Sequence, residues 1–206
     1  MIGFWNYTVI LTYMSLASAA CGMTLAINEQ IIPALICLAF SGLCDALDGR
    51  VARLKKDRSD SEKLFGIQLD SLCDVISFGF LPVVICYQLG LTSPVGIGAM
   101  IFYCIASVAR LAYFNMVEIS KDSDDTSPKC YHGLPITSIV VIFPVFYMVS
   151  GWIPASFHNM LWEFMLLASG CLFISNIRFG KPKLKHIIFF TVIVIALFVV
   201  MVFFRG

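Results

Sequence analysis

Seven stretches of this chain, at roughly 7 to 27, 31 to 53, 65 to 90, 94 to 117, 134 to 151, 156 to 177 and 186 to 204, are apolar over close to the length of a membrane crossing. A span needs about 20 such residues. In hydrocarbon the backbone amides have no water to bond, so a run of this kind closes its hydrogen bonds within a helix. The expectation is therefore an all-α, polytopic integral membrane bundle of about seven transmembrane helices. Composition agrees, since 59% of the 206 residues are hydrophobic and only 13% charged, well outside the soluble globular range. No internal repeat or second domain is evident, so residues 1–206 read as one membrane domain. The last run, IIFFTVIVIALFVVMVFF, carries no polar side chain beyond one threonine and reads as a peripheral, lipid-facing span.

Charge is distributed along the chain in a way that orients it. With the N-terminus in the cytoplasm and the spans alternating, 13 of the 14 Lys and Arg residues fall at or near the cytoplasmic side, and only Arg205 falls outside. That asymmetry follows the positive-inside rule. The hydrophilic connections RLKKDRSDSEKL and SKDSDDTSPKCYH are then both cytoplasmic. The N-terminal run lacks a basic leader and reads as a span rather than a cleaved secretion signal. The eight cysteines are scattered, seven of them in apolar surroundings and Cys130 in a polar loop, and read as free thiols. No nucleic-acid partner is expected.

Four aspartates interrupt the apolar pattern. Asp45 and Asp48 are spaced i, i+3 near the end of the second span, and Asp70 and Asp74 are spaced i, i+4 in the third. Each pair projects from one helix face, and two antiparallel helices can aim all four into one gap. A charge at a span centre costs at least about 2.5 to 3.5 kcal/mol, so these groups need partners. Carboxylate oxygens are hard ligands suited to Mg²⁺, Mn²⁺ or Ca²⁺, and two ions with bridging carboxylates fit the count. Cys44 and Cys73 each precede an Asp, but their sulfurs point about 100° away around the helix and read as packing groups. Gly49, Ala52 and Gly66 remove bulk beside the acidic faces, and Arg53 can hold a phosphate through two parallel hydrogen bonds. Together these residues describe a site for a metal-bound diphosphate.

The pattern Asp45-x2-Asp48-Gly49-x2-Ala52-Arg53, followed by Gly66-x3-Asp70-x3-Asp74, resembles the signature of the CDP-alcohol phosphotransferases, integral membrane enzymes of phospholipid synthesis with a six-helix core. All eight signature residues are present. The connection from Leu54 through Phe65 is longer than the family usually carries, with Ser59 and Ser61 as candidate nucleotide contacts. Further blocks, FGIQLDSLCDVISFGFLP, RLAYFN, GLPIT and ISNIRFGKPK, are similar to those of the bacterial and archaeal phosphatidylserine synthase branch. The resemblance implies transfer of a phosphatidyl group from CDP-diacylglycerol to L-serine, giving phosphatidylserine and CMP. It implies Mg²⁺ or Mn²⁺, as two ions, on Asp45, Asp48, Asp70 and Asp74, with Asp74 also the general base. Gly49, Ala52, Arg53 and Gly66 would face CDP-diacylglycerol. A homodimer in a bacterial or archaeal cell membrane, with its site open to the cytoplasm, completes the implied picture.

Other residues keep two readings. Arg110 lies about two turns inside the fourth span, as a cytoplasmic-side anchor or as a contact for the serine carboxylate or a lipid phosphate. Arg178 and Lys181 are snorkelling anchors or phosphate contacts. His132 reads as a loop residue, and Glu163 as a lone acid paired with a polar group of a neighbouring helix. Pro82, Pro135 and Pro144 read as kinks or span starts. Thr12, Ser15 and Ser18 in the first span are assigned no substrate contact. Two rival functions stand beside the serine reaction: a phosphatidylglycerophosphate or phosphatidylinositol phosphate synthase using a phosphorylated acceptor, and a divalent-cation transporter, since intramembrane acids also mark ion paths.

Overall fold

The computed structural model describes residues 3–4, 6–55, 57, 59–121 and 131–179. Among these, five helices are long and apolar enough to cross a membrane: Tyr7–Ile27, Ile31–Ala52, Asp60–Gln88, Pro94–Ile119 and Ala155–Ile174. Ile136–Ser150 is a shorter apolar helix. These six correspond to the first six expected spans, and the chain is a polytopic membrane helical bundle. The seventh expected span, 186–204, lies outside the described residues.

The regular elements are α1 (Ile10–Ile27), α2 (Ile31–Leu54), α3 (Asp60–Asp74), α4 (Leu81–Gln88), α5 (Pro94–Lys121), α6 (Ile139–Ser150) and α7 (His158–Ile174). Helix α3 begins at Asp60, inside the hydrophilic connection that precedes the third expected span. The reason is a capping box: the Ser59 hydroxyl accepts from the Glu62 amide, and the Glu62 carboxylate accepts from the Ser59 amide. Two orphan amides are thereby satisfied and the helix starts five residues before the apolar run. Glu62 also takes hydrogen bonds from Lys55 Nζ (2.8 Å) and Asn6 Nδ2 (3.2 Å). The Phe4 and Phe65 rings meet edge to face, so the N-terminal segment rests on the start of α3.

Between α3 and α4 the chain widens into a π turn, Val75–Phe80. Pro82 accounts for it. Proline has no amide, so the carbonyl four residues earlier, on Phe78, has no α-helical donor. The Leu81 amide bonds instead to Ile76 O, and the Tyr103 hydroxyl of α5 donates to Phe78 O at 2.7 Å. The expected effect of Pro82 on the third span thus takes the form of a wide turn inside it.

Helix α1 packs most extensively on α2, and a ladder of hydroxyls joins them. Thr12 donates to Asp48 Oδ2 (3.0 Å), Ser15 to Ser41 O (3.3 Å) and Ser18 to Cys37 O (3.0 Å). Their spacing of three places them on one helix face. Glycine permits the closest approaches: a Cβ on Gly42 of α2 would lie 2.7 Å from Val140 Cγ2 of α6. The core where these helices meet contains Phe78, Leu81, Tyr103, Phe143, Trp162 and Phe173, all essentially inaccessible. Apolar side chains such as Ile10, Ile36, Leu72, Ile101, Ile105 and Phe164 face outward. On a membrane bundle that surface contacts lipid.

One short β pairing accompanies the helices. Tyr131–His132 (β1) pairs antiparallel with Arg178–Phe179 (β2), tying the entry to α6 to the exit from α7. The turn continues with Gly133 N bonding to Ile177 O and Leu134 N to Leu172 O. Gly133 has φ +77°, and a Cβ there would come within 2.5 Å of Phe173 O. Only glycine fits that crossing without strain.

Candidate active site

Asp45, near the end of α2, is brought beside Asp70 and Asp74 of α3. Carboxylate oxygens of Asp45, Asp70 and Asp74 all lie within 4.8 Å of one another. Asp45 and Asp70 are half-buried and Asp74 is buried. Among the described residues, Oδ1 of Asp70 is enclosed and has no hydrogen-bond partner. Like charges at 4.8 Å repel by roughly 3.5 kcal/mol per pair at an effective dielectric near 20. Three ionised carboxylates so placed need a cation or protons between them. The donor set is all hard oxygen, which suits a divalent ion of the Mg²⁺, Mn²⁺ or Ca²⁺ type, and the enclosed Asp70 oxygen is an acceptor with no donor among the described residues. The residues fit a divalent metal ion.

Asp48, the fourth acid of the sequence pattern, stands beside this triad rather than in it. Its carboxyl is buried, with Oδ2 bonded by the Thr12 hydroxyl and with the Asp70 carboxyl as a near neighbour. Gly49 is exposed, and Ala52 and Gly66 are half-buried. Arg53 falls in the last turn of α2, at the same end as the acids; its side chain lies outside the described residues. Cys44 and Cys73 are buried, at 3% and 2% exposure, and pack in the core. Ser59 serves as the cap of α3, while Ser61 is exposed beside it.

Arg110 is buried on α5. Its Nε donates to Leu134 O and its Nη2 to Gly133 O, both at 3.3 Å. It therefore anchors the crossing turn before α6. Arg178 belongs to β2, with only its backbone described, and Lys181 lies outside the described residues. The expected partner of Glu163 is Ser93, whose hydroxyl donates at 2.9 Å.

Two groups of residues near the acids were not assigned roles from sequence. Ser71 donates to Asn115 Oδ1 at 2.6 Å, and Asn115 Nδ2 donates to Gln68 Oε1 at 3.3 Å, joining the acidic turns of α3 to α5. Asn115 closes the RLAYFN block, and that position was the only signal. Thr12 was visible as a polar residue in an apolar span, but its partner is 36 residues away, beyond any local pattern.

Membrane helices that converge three carboxylates in this way define a membrane protein whose acidic cluster could hold a divalent cation. The model of the CDP-alcohol phosphatidyltransferase family matches residues 5–205, and the chain belongs to that family. A CDP-diacylglycerol--serine O-phosphatidyltransferase of Saccharomyces cerevisiae is 38% identical over 112 residues, 52% of this chain and 39% of the relative. The protein of that name from Helicobacter pylori is 32% identical over 163 residues, 77% of this chain and 65% of the relative. An archaetidylserine synthase of Methanothermobacter thermautotrophicus is 29% identical over 175 residues, 84% and 68% of the two chains. The chain thus spans between about four-tenths and two-thirds of the length of these curated relatives.

Proposed function

We propose that this chain transfers the phosphatidyl group of CDP-diacylglycerol to the hydroxyl of L-serine, releasing CMP. The observation that carries the reading is the convergence of Asp45, Asp70 and Asp74, with the enclosed Asp70 Oδ1 unpartnered among the described residues, in a chain of this family. The names of the relatives favour serine as acceptor.

In the proposed reaction the serine oxygen forms a new bond to the phosphorus that carries the diacylglycerol, and the bond from that phosphorus to the CMP oxygen breaks. Asp74 takes the hydroxyl proton as general base. Asp45, Asp48 and Asp70, with Asp74, would hold Mg²⁺ or Mn²⁺, as two ions. When bound, such ions polarise the diphosphate and offset charge on the leaving group. Gly49, Ala52 and Gly66 would leave room for the diphosphate beside the acids, and Arg53 is proposed as a phosphate contact. Arg110, Arg178 and Lys181 are proposed on the acceptor and phosphate side. For Arg110 the bonds to Gly133 and Leu134 support action through the turn it anchors. Charge asymmetry in the sequence supports a cytoplasmic mouth, where CDP and serine arrive from water while the acyl chains stay in lipid. Assembly as a homodimer belongs to the same proposal and rests on the family resemblance alone.

The deciding experiment measures CMP release from CDP-diacylglycerol liposomes containing the purified chain, with Mg²⁺ or Mn²⁺ and one acceptor at a time. Serine is expected to support the fastest release. Equal or faster release with glycerol 3-phosphate or inositol phosphate would overturn the acceptor. Cation flux across sealed vesicles, with no CMP release under any acceptor, would replace the transferase with a transporter.

A further inference from the structure

The acid quartet is divided by the structure into a convergent triad and a fourth carboxylate held from another helix. Asp48 Oδ2 accepts the Thr12 hydroxyl at 3.0 Å, with Thr12 6% and Asp48 7% exposed. The Asp70 carboxyl stands in contact with the same group, so Asp48 is placed between α1 and the triad. A carboxylate attached through two rotatable bonds has several low-energy orientations, and one hydroxyl on one oxygen selects among them. Groups that orient a metal ligand in this way usually change metal affinity by 10- to 100-fold when removed. The ladder partners Ser15 and Ser18 bond only backbone carbonyls of α2 or, for Ser15, also the Ser77 hydroxyl. Thr12 alone among these three bonds a carboxylate.

We propose that Thr12 is a positioning residue of the metal centre, its hydroxyl fixing the Asp48 carboxylate toward the Asp45, Asp70 and Asp74 triad, so that α1 is part of the site. This rests on the metal reading given above. The test is Mn²⁺ binding to the purified chain, followed by electron paramagnetic resonance of free Mn²⁺, without substrates. Thr12→Val is expected to weaken Mn²⁺ binding by about tenfold or more, with Thr12→Ser at the wild-type affinity. Ser15→Ala removes a hydroxyl from the same helix interface and is expected to lower the thermal midpoint while leaving Mn²⁺ affinity unchanged. In an Asp48→Asn background, Thr12→Val should cost no further affinity. Wild-type affinity in Thr12→Val would overturn the proposal, and so would equal weakening in Thr12→Val and Ser15→Ala, which would mark a packing effect. If Thr12→Val does not fold, Thr12→Ala provides the same reading. Absence of Mn²⁺ binding by the wild-type chain would instead remove the metal reading and the proposal with it.

Discussion

Tyr103→Phe removes one oxygen from the centre of the bundle, and the structure sets its cost. The Tyr103 ring and Phe78 are both fully inaccessible, and the lost bond is the 2.7 Å contact from the hydroxyl to Phe78 O. A buried polar group left unsatisfied costs about 1–3 kcal/mol. Hydrogen bonds between membrane helices average less, about 0.6 kcal/mol with a maximum near 1.7, because the reference state in the membrane finds other partners. Phe78 O belongs at the upper end of that range, since Pro82 denies it the donor that other carbonyls of a helix retain. We expect a loss of about 1–2 kcal/mol, or roughly 2–8 °C in thermal midpoint for a chain of this size. The assay is thermal unfolding of the purified protein in one detergent, with Pro82→Ala as the second arm of a double-mutant cycle. Pro82→Ala restores an amide at the position that serves Phe78 O, so the cost of Tyr103→Phe should shrink in that background. Equal losses in both backgrounds would refute the assignment of Tyr103 as the substitute donor.

Three further outcomes follow from the site and its packing. Asp74→Asn is expected to lower CMP release by about 10²- to 10⁴-fold, the usual contribution of general acid–base catalysis; activity at the wild-type level would remove Asp74 as base. Saturating Mn²⁺, at 100 times its dissociation constant, should stabilise the chelator-treated protein by about 2.7 kcal/mol through mass action, and an unchanged thermal midpoint would count against a metal in the acid triad. Gly42→Ala places a methyl 2.7 Å from Val140 Cγ2 and should destabilise by about 1–3 kcal/mol through overpacking. Adding Val140→Ala should restore most of that loss, and failure to do so would show that α2 and α6 do not meet there.

Apolar length made the spans legible, and in-phase spacing made the acids legible, because both are local properties of the chain. The start of α3 at Asp60 was also written locally, in Ser59 and Glu62, but the charged residues around them placed the expected span start at about 65, where the apolar run begins. What local pattern could not supply was the division of the acids into a triad and a neighbour, which depends on Thr12 of another helix. The role of Arg110 was hidden for the same reason: its acceptors are carbonyls 23 and 24 residues away, in a turn whose shape depends on Gly133. The short β pairing likewise joins segments far apart in sequence and carries no periodic signal.

The π turn explains how one helix serves both the site and the core. At 100° per residue, an unbroken α-helix would place Asp70, Asp74, Phe78, Leu81 and Ile85 in one stripe about 80° wide. The acids and the core residues would then face the same neighbours, and either the acids would enter the apolar core or the core residues would enter the metal gap. One extra residue in the wide turn after Asp74 rotates everything beyond it by about 100°. Asp70 and Asp74 can then face Asp45 while Leu81 and Ile85 are enclosed with Phe143, Trp162 and Phe173. Pro82 makes the wide turn favourable by removing the amide that would close a regular one, and Tyr103 satisfies the carbonyl it leaves. The register of the acids thus depends on a proline eight residues beyond the last of them, and on a tyrosine from a different helix.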